Sequence, residues 1–326
     1  MTPAQKYEND QLDIYNLTEV DFALDDYMPI ADESVNGDAF KIILNRLLSI
    51  HQPVQGRLTL ASGMPVISSD QTAKTTLYFS PYRGGHITLY DGTRWILLAF
   101  SELSLSLSGY TANKNYDIWV YSNSGVAALD STIWTNDSTR ATALASQDGI
   151  LIKSGDATRR YLGTIRITGT TGQCEDSMRR RFVWNYYNRR RLIGGTWNTN
   201  ASWTYGTAAW RESNNGSGHA RFEFVVGVTG EAFLRILHGG YNAAAAGIAS
   251  YNASCFDANN TAYTVHYCVG ASHILNLGVR YQNPCRYFMA AGYHYGTQTE
   301  YSGATGTYYD GGSGYPLRLA NYVVEG

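Results

Sequence analysis

Leu103, Leu105 and Leu107 alternate with Ser104, Ser106 and Ser108, and this two-residue period constrains the chain more than any other feature. Successive side chains of a strand point to opposite faces, so such a run reads as a sheet with one face on a core and one in water. The pattern returns at Tyr116, Ile118 and Val120, and again at Phe222, Phe224, Val226 and Val228 before Gly230. Asp91-Gly92 separates His86–Tyr90 from Thr93–Leu97 and predicts a two-residue hairpin, because Asp-Gly readily supplies positive φ. Asn123-Ser124-Gly125 predicts a further turn. Further strands are expected at 160–168, 233–238 (returning from 222–228), 263–269, 273–281 and 287–295. The terminal YPLRLANYVVEG reads as a closing strand. With 26 Tyr and 33 Gly but only 16% charged residues, the expected fold is mainly β. An N-terminal arm and short helix precede antiparallel β-sandwich domains, the C-terminal one jelly-roll-like.

Charge divides the chain into three regions. Residues 1–40 carry ten acids against the single base Lys6, whereas residues 153–191 carry ten bases against three acids. Residues 192–326 are nearly balanced, with six bases and seven acids. The expected organisation is an acidic arm and helix (1–55), a β-sandwich domain (56–191) and a Gly/Tyr-rich β domain (192–326). In the first, Phe40, Ile43, Leu44, Leu47 and Leu48 recur at helical spacing, with Pro53 just beyond. That apolar stripe must be covered, either by the chain's own sheet or by a neighbouring copy.

The segment SMRRRFVWNYYNRRRLIGG sets Arg179–Arg181 and Arg189–Arg191 around Phe182, Trp184, Tyr186 and Tyr187. Arginines interleaved with aromatics are a nucleic-acid cue. The favoured reading is structural: Phe182, Trp184 and Tyr186 on one strand face, with the arginines paired to carboxylates. With a net charge of −2, nucleic acid is not an expected partner. No stretch approaches the roughly 18 apolar residues of a membrane span, and the first residues lack the basic-then-apolar pattern of a secretory signal.

No familiar catalytic motif occurs: no G-x-S-x-G, no P-loop, no H-E-x-x-H and no EF-hand. Cys255, His266, Cys268, His273 and Cys285 fit no usual zinc spacing. With Cys174, the cysteines read as buried thiols, and no metal or other cofactor is expected. Among Glu212, Glu223, Glu231, Asp257, Glu300, Asp310 and Glu325 a pair could converge for glycoside cleavage. The long repeats common in polysaccharide-degrading spikes are missing, so an enzyme is not the expected reading. Trp197, Trp203, Tyr205, Trp210, Tyr293 and Tyr295 are candidates to stack on sugar faces, with core packing as the alternative for each.

Four segments carry a family resemblance: GRLTLASGMPVISSDQTAKTTLYFSPYRGGHITLYDGTRW (56–95), SGYTANKNYD (108–117), DGILIKSGDATRRYLGTIRITGTTGQCEDS (148–177) and RFVWNYYNRRR (181–191). In this order they resemble segments of virion structural proteins of tailed bacteriophages, of the tail-fibre and head-fibre type. Residues 192–326 resemble more loosely the small β domains that cap trimeric fibres. The resemblance brings no catalytic motif with it. It implies a virion component, made in a bacterial cytoplasm and assembled as a homotrimer. Residues 1–55 would attach to capsid, portal or tail, and the β domains would project toward the host. A receptor-binding module for bacterial surface glycan is the alternative, and a polysaccharide-degrading tailspike a third reading.

Overall fold

In the computed structural model, the residues described are 53–197, 202–216, 221–230, 233–238, 242–243, 250–258, 260, 268–272, 285–302, 306–309 and 318–325. The acidic arm and the stripe Phe40, Ile43, Leu44, Leu47 and Leu48 lie outside them. The chain divides into two units, Met1–Pro53 and Val54–Gly326.

The described part is mainly β, built of several antiparallel sheets, with no α-helix among the described residues. A three-stranded sheet orders Gly56–Thr59, Thr76–Pro81 and Leu103–Ser106. A six-stranded sheet runs from Val126–Ile133 through Asn115–Asn123, Asp156–Arg166 and Ile150–Lys153 to Leu144–Gln147, with Val183–Asn185 also paired to Asp156–Arg166. An eight-stranded sheet takes Gln71–Lys74, Cys174–Asp176 and Arg180–Arg181 from the middle of the sequence. It continues through Arg221–Val226, Gly292–Ser302, Ser250–Phe256 and Cys268–Ser272, with Arg211–Glu212 on Gly292–Ser302. The expected division at 191/192 therefore runs through one sheet. Its bridge is the parallel pairing of Arg180–Arg181 with Arg221–Val226.

Local turn chemistry explains the hairpins. Ser124 and Gly125 both have positive φ (53° and 86°) between the paired Asn123 and Val126, as a tight two-residue hairpin requires. Asp148-Gly149 does the same between Gln147 and Ile150. Asp91-Gly92 does not. Tyr90 pairs with Trp95, so the loop holds four residues and the return strand is Trp95–Ala99 rather than 93–97. The reason is the Asp91 side chain: Oδ1 accepts from the Thr93 and Arg94 amides at 2.8 and 2.9 Å, an Asx turn that extends the loop.

Two apolar cores form. The first gathers Leu58, Leu77, Phe79, Ile87, Leu89, Leu107, Ile118, Val120, Ile165 and Phe182 among others; the second gathers Trp119, Tyr161, Trp184, Phe222, Phe224, Val225, Val226 and Met289. Leu103–Ser106 keeps the alternation expected of it, its leucines half-buried and its serines exposed. Asn115–Asn123 does not have a wet face: Tyr116, Ile118 and Val120 enter the first core and Trp119 the second. The polar residue on that inner face, Asp117, is only 1% exposed.

Three expectations for the strands are corrected. Phe182 does not share a face with Trp184 and Tyr186. It enters the first core, while they belong to the second. Phe182 lies between two strands; its amide goes to Glu175 O and its carbonyl accepts from Arg166, so the alternation restarts at Val183. Phe233–His238 does not return along Arg221–Val226 but pairs with Arg318–Glu325 and Cys285–Phe288. Residues 287–295 are not one strand. The chain leaves Cys285–Phe288 and begins Gly292–Ser302 in a different sheet, entering through Gly292 at φ +148°.

Candidate functional site

Two polar clusters among the described residues include arginines of the basic segment. The first lies along Gly292–Ser302. Tyr293 and Tyr295 are two apart on one strand face, with ring centroids 6.2 Å apart. Glu223 and Arg221, on the neighbouring strand, pair in register with Tyr295 and Thr297. The Arg166 guanidinium lies 3.7 Å from the Tyr293 ring centre and Arg221 4.6 Å from that of Tyr295. One face of each ring is thus occupied by a cation. Tyr293 Oη donates to Glu223 Oε1 at 2.6 Å, and Arg180 Nε donates to Glu223 Oε2 at 2.7 Å. Burial opposes ionisation of Glu223, but the hydrogen bonds from Tyr293 and Arg180, with the charges of Arg180 and Arg166, outweigh it and hold the carboxyl below its ordinary pKa.

The candidate aromatic Trp203 meets Glu300. Glu300 is fully buried and accepts from Trp203 Nε1, from Arg211 Nε at 2.7 Å and from the Asn214 amide at 3.2 Å. Burial still leaves its pKa raised despite these donors. Arg211 also covers Tyr205, 3.8 Å from the ring centre, and Tyr205 Oη donates to Ala209 O. Trp210 packs on Tyr301 at 5.5 Å. Trp197 ends the Arg191–Trp197 strand, and its side chain is outside the described residues.

The candidate carboxylates that are described are each held by a neighbouring side chain. Glu212 is held by Arg221 at 3.0 Å, Glu223 by Arg180 and Tyr293, Glu300 by Arg211, and Asp257 by His294 at 2.7 Å. Glu212, Glu223 and Glu300 are in ion pairs with arginines, and Asp257 is in hydrogen-bond contact with the His294 ring. Glu231, Asp310 and the side chain of Glu325 lie outside the described residues. Cys174 and Cys255 are buried free thiols, with the Cys174 pKa pushed up first of all by burial. Among the described residues no group of three or more His, Cys, Asp or Glu side chains could hold a metal ion. Nor is any helix there long and apolar enough to cross a membrane.

The second cluster is one that the sequence does not reveal. A cleft of about 330 Å³ is lined by Arg57, Arg181, Arg190 and Arg191, by Asp70 and Asp176, and by apolar residues that include Val66 and Ile193. Arg181 Nη1 donates to Asp176 Oδ1 at 2.9 Å, while its Nε and Nη2 go to Ile193 O. Arg57 is buried. Its Nε donates to Pro65 O and its Nη1 to Asn188 O. Burial, aided by Arg190, lowers its pKa to about 10, so it stays cationic at neutral pH. Asn188, at φ 52°, closes the assembly by donating to Val54 O and Gly56 O. Arg190 is exposed and spends one of its five N–H groups on Tyr82 Oη at 3.1 Å. The triple arginine at 189–191 was visible in the sequence. Its meeting with Arg57 and Asp70, more than a hundred residues away, was not.

No family model matches the chain, and no curated protein sequence matches it. Among solved structures it is similar to an insecticidal delta-endotoxin from Bacillus thuringiensis, at 7% identity and a TM-score of 0.25, over 83% of this chain. The chain spans about half (51%) of the toxin's length. A likeness at that level says nothing of what this chain does.

Proposed function

We propose that the chain is a non-enzymatic structural protein of a tailed-bacteriophage particle, a fibre or decoration component. Residues 1–55 attach it to other virion proteins, and its β domains project outward as a homotrimer. The observation that carries this reading is the ordered series of four segments between 56 and 191 that resemble virion proteins. In this reading the middle domain is a sandwich and the C-terminal domain a jelly-roll-like tip. Its support in the fold is the use made of charge: Asp117, Asp176, Glu223 and Glu300 are built into arginine braces between strands, a design suited to a rigid spacer. The test has two measurements. Light scattering in solution should return three times the 36.0 kDa chain mass. Mass spectrometry of purified particles of the encoding phage should find the chain at fixed stoichiometry. A monomer that never enters particles would refute the proposal.

The alternative, a receptor-binding module for bacterial surface glycan, is favoured by one observation. The described surface holds a cleft lined by arginines and by the exposed aliphatic side chains of Val66 and Ile193.

A further inference from the structure

Tyr82 stands in the turn between Thr76–Pro81 and His86–Tyr90, and Gln55 holds that turn in place. The Gln55 carbonyl accepts from the Tyr82 and Arg83 amides at 2.7 and 3.1 Å, and its side-chain oxygen accepts from the His86 amide at 2.9 Å. The half-buried ring is thus carried on a fixed backbone, and arginines from three separate parts of the sequence surround it. Arg190 Nη1 donates to Tyr82 Oη at 3.1 Å. The guanidinium groups of Arg83 and Arg57 lie 5.6 and 5.8 Å from the ring centre. Arg83 and Arg190 are themselves exposed. Among the described residues no carboxylate accepts from Tyr82 Oη. Four other tyrosines have the reverse setting. Tyr293 Oη gives its proton to Glu223, and burial pushes Tyr110, Tyr161, Tyr293 and Tyr295 above the ordinary tyrosine pKa. At Tyr82 the hydrogen bond from Arg190 acts first, joined by the charges of Arg190, Arg83 and Arg57, and draws the phenol below it. A donor aimed at the oxygen and cations around the ring favour phenolate over phenol, and an activated oxygen of this kind is a nucleophile.

We propose that Tyr82 is a nucleophilic tyrosine, a site of O-acylation by activated acyl donors. Its oxygen attacks the acyl carbon and a new C–O bond forms. The bond from that carbon to the leaving group then breaks with its electron pair, and the phenolic proton ends on the leaving group. Arg190 and Arg83 supply positive charge beside the tetrahedral adduct, whose former carbonyl oxygen is negative. Reactivity at Tyr82 requires neither particle attachment nor glycan binding, so each of the three can fail independently.

The test treats the full chain with N-acetylimidazole between about pH 6 and pH 9 and follows each tyrosine peptide by mass spectrometry. The acetyl group passes to the phenol and imidazole departs with the proton. Tyr82 should be acetylated faster than every other tyrosine of the folded chain, and hydroxylamine should remove the group, as it does from a phenol ester. The preference should vanish when the chain is unfolded in urea. Arg190→Gln should slow acetylation of Tyr82 about five- to tenfold, as expected for loss of a charge-assisted hydrogen bond to the phenolate. Arg190→Lys should slow it less, and Arg190→Gln with Arg83→Gln more. The pH at which labelling sets in should move upward in Arg190→Gln. All three variants alter exposed side chains and should keep the circular dichroism spectrum. Three results would overturn the proposal: another tyrosine of the folded chain reacting as fast as Tyr82, a rate at Tyr82 untouched by the double variant, or the same preference in the unfolded chain.

Discussion

Replacing Arg140 by methionine tests how this fold tolerates charge in its core. Arg140 gives Nε and Nη2 to the two oxygens of Asp117 at 2.7 and 3.2 Å, and another N–H to Gly227 O. Its guanidinium lies 4.3 Å from the Trp134 ring centre. The side chains of the pair are 14% and 2% exposed. Methionine keeps much of the volume but takes away both arginine hydrogen bonds from Asp117, which keeps the one from Thr164 Oγ1 at 2.8 Å. Removing one partner of a buried ion pair costs about 3–5 kcal/mol, because the other charge stays buried and uncompensated. Burial already holds the Asp117 pKa above its ordinary value, and loss of Arg140 pushes it higher. With the folded-state pKa above the unfolded one, the folded state binds the extra proton. The penalty is therefore absent below the unfolded carboxylate pKa and grows as pH rises through the raised one. Urea unfolding followed by tryptophan fluorescence, from pH 4 to pH 8, reads both effects. The expected result is a loss of about 3–5 kcal/mol near neutrality that shrinks on acidification. A loss under about 1 kcal/mol at neutral pH, or one that grows as pH falls, would refute the argument. Arg140→Lys should fall between the two, since a single ammonium cannot reproduce the planar fork.

Glu223 predicts the opposite pH behaviour. Its folded pKa is depressed, so its stabilisation is present above the unfolded carboxylate pKa and fades as pH falls through the folded value. Glu223→Gln should therefore flatten the acid limb of the stability profile. Gly163→Ala should destabilise by about 1–3 kcal/mol, because a Cβ there would sit 2.1 Å from the Trp184 carbonyl oxygen, which is backbone and cannot swing aside; thermal unfolding checks this. Leu44→Asp with Leu47→Asp should abolish trimerisation or particle attachment, and unchanged sedimentation with unchanged incorporation would refute that role for the stripe. Deleting residues 1–31 should leave the β-sheet circular dichroism signal intact and remove the chain from particles.

Part of this architecture is written locally. Alternation fixed which residues of Leu103–Ser106 face inward, and Ser124-Gly125 carries the conformational freedom that its hairpin turn needs. Both depend on neighbours a few residues away, so sequence alone determined a mainly β chain with these strands and this turn. The partners of strands far apart in sequence are another matter. A two-residue period states which face is apolar but not what covers it, so both faces of Asn115–Asn123 could be buried without a different local pattern. In the same way Phe233–His238 was legible as a strand, yet its place beside Arg318–Glu325 depends on a pairing some eighty residues away. The basic segment was conspicuous, but a guanidinium carries the same charge in water as in a cleft. Only the tertiary structure, by bringing Gly56–Thr59 beside the turn at Asn188, gathered Arg57, Asp70 and Arg190 around one cavity.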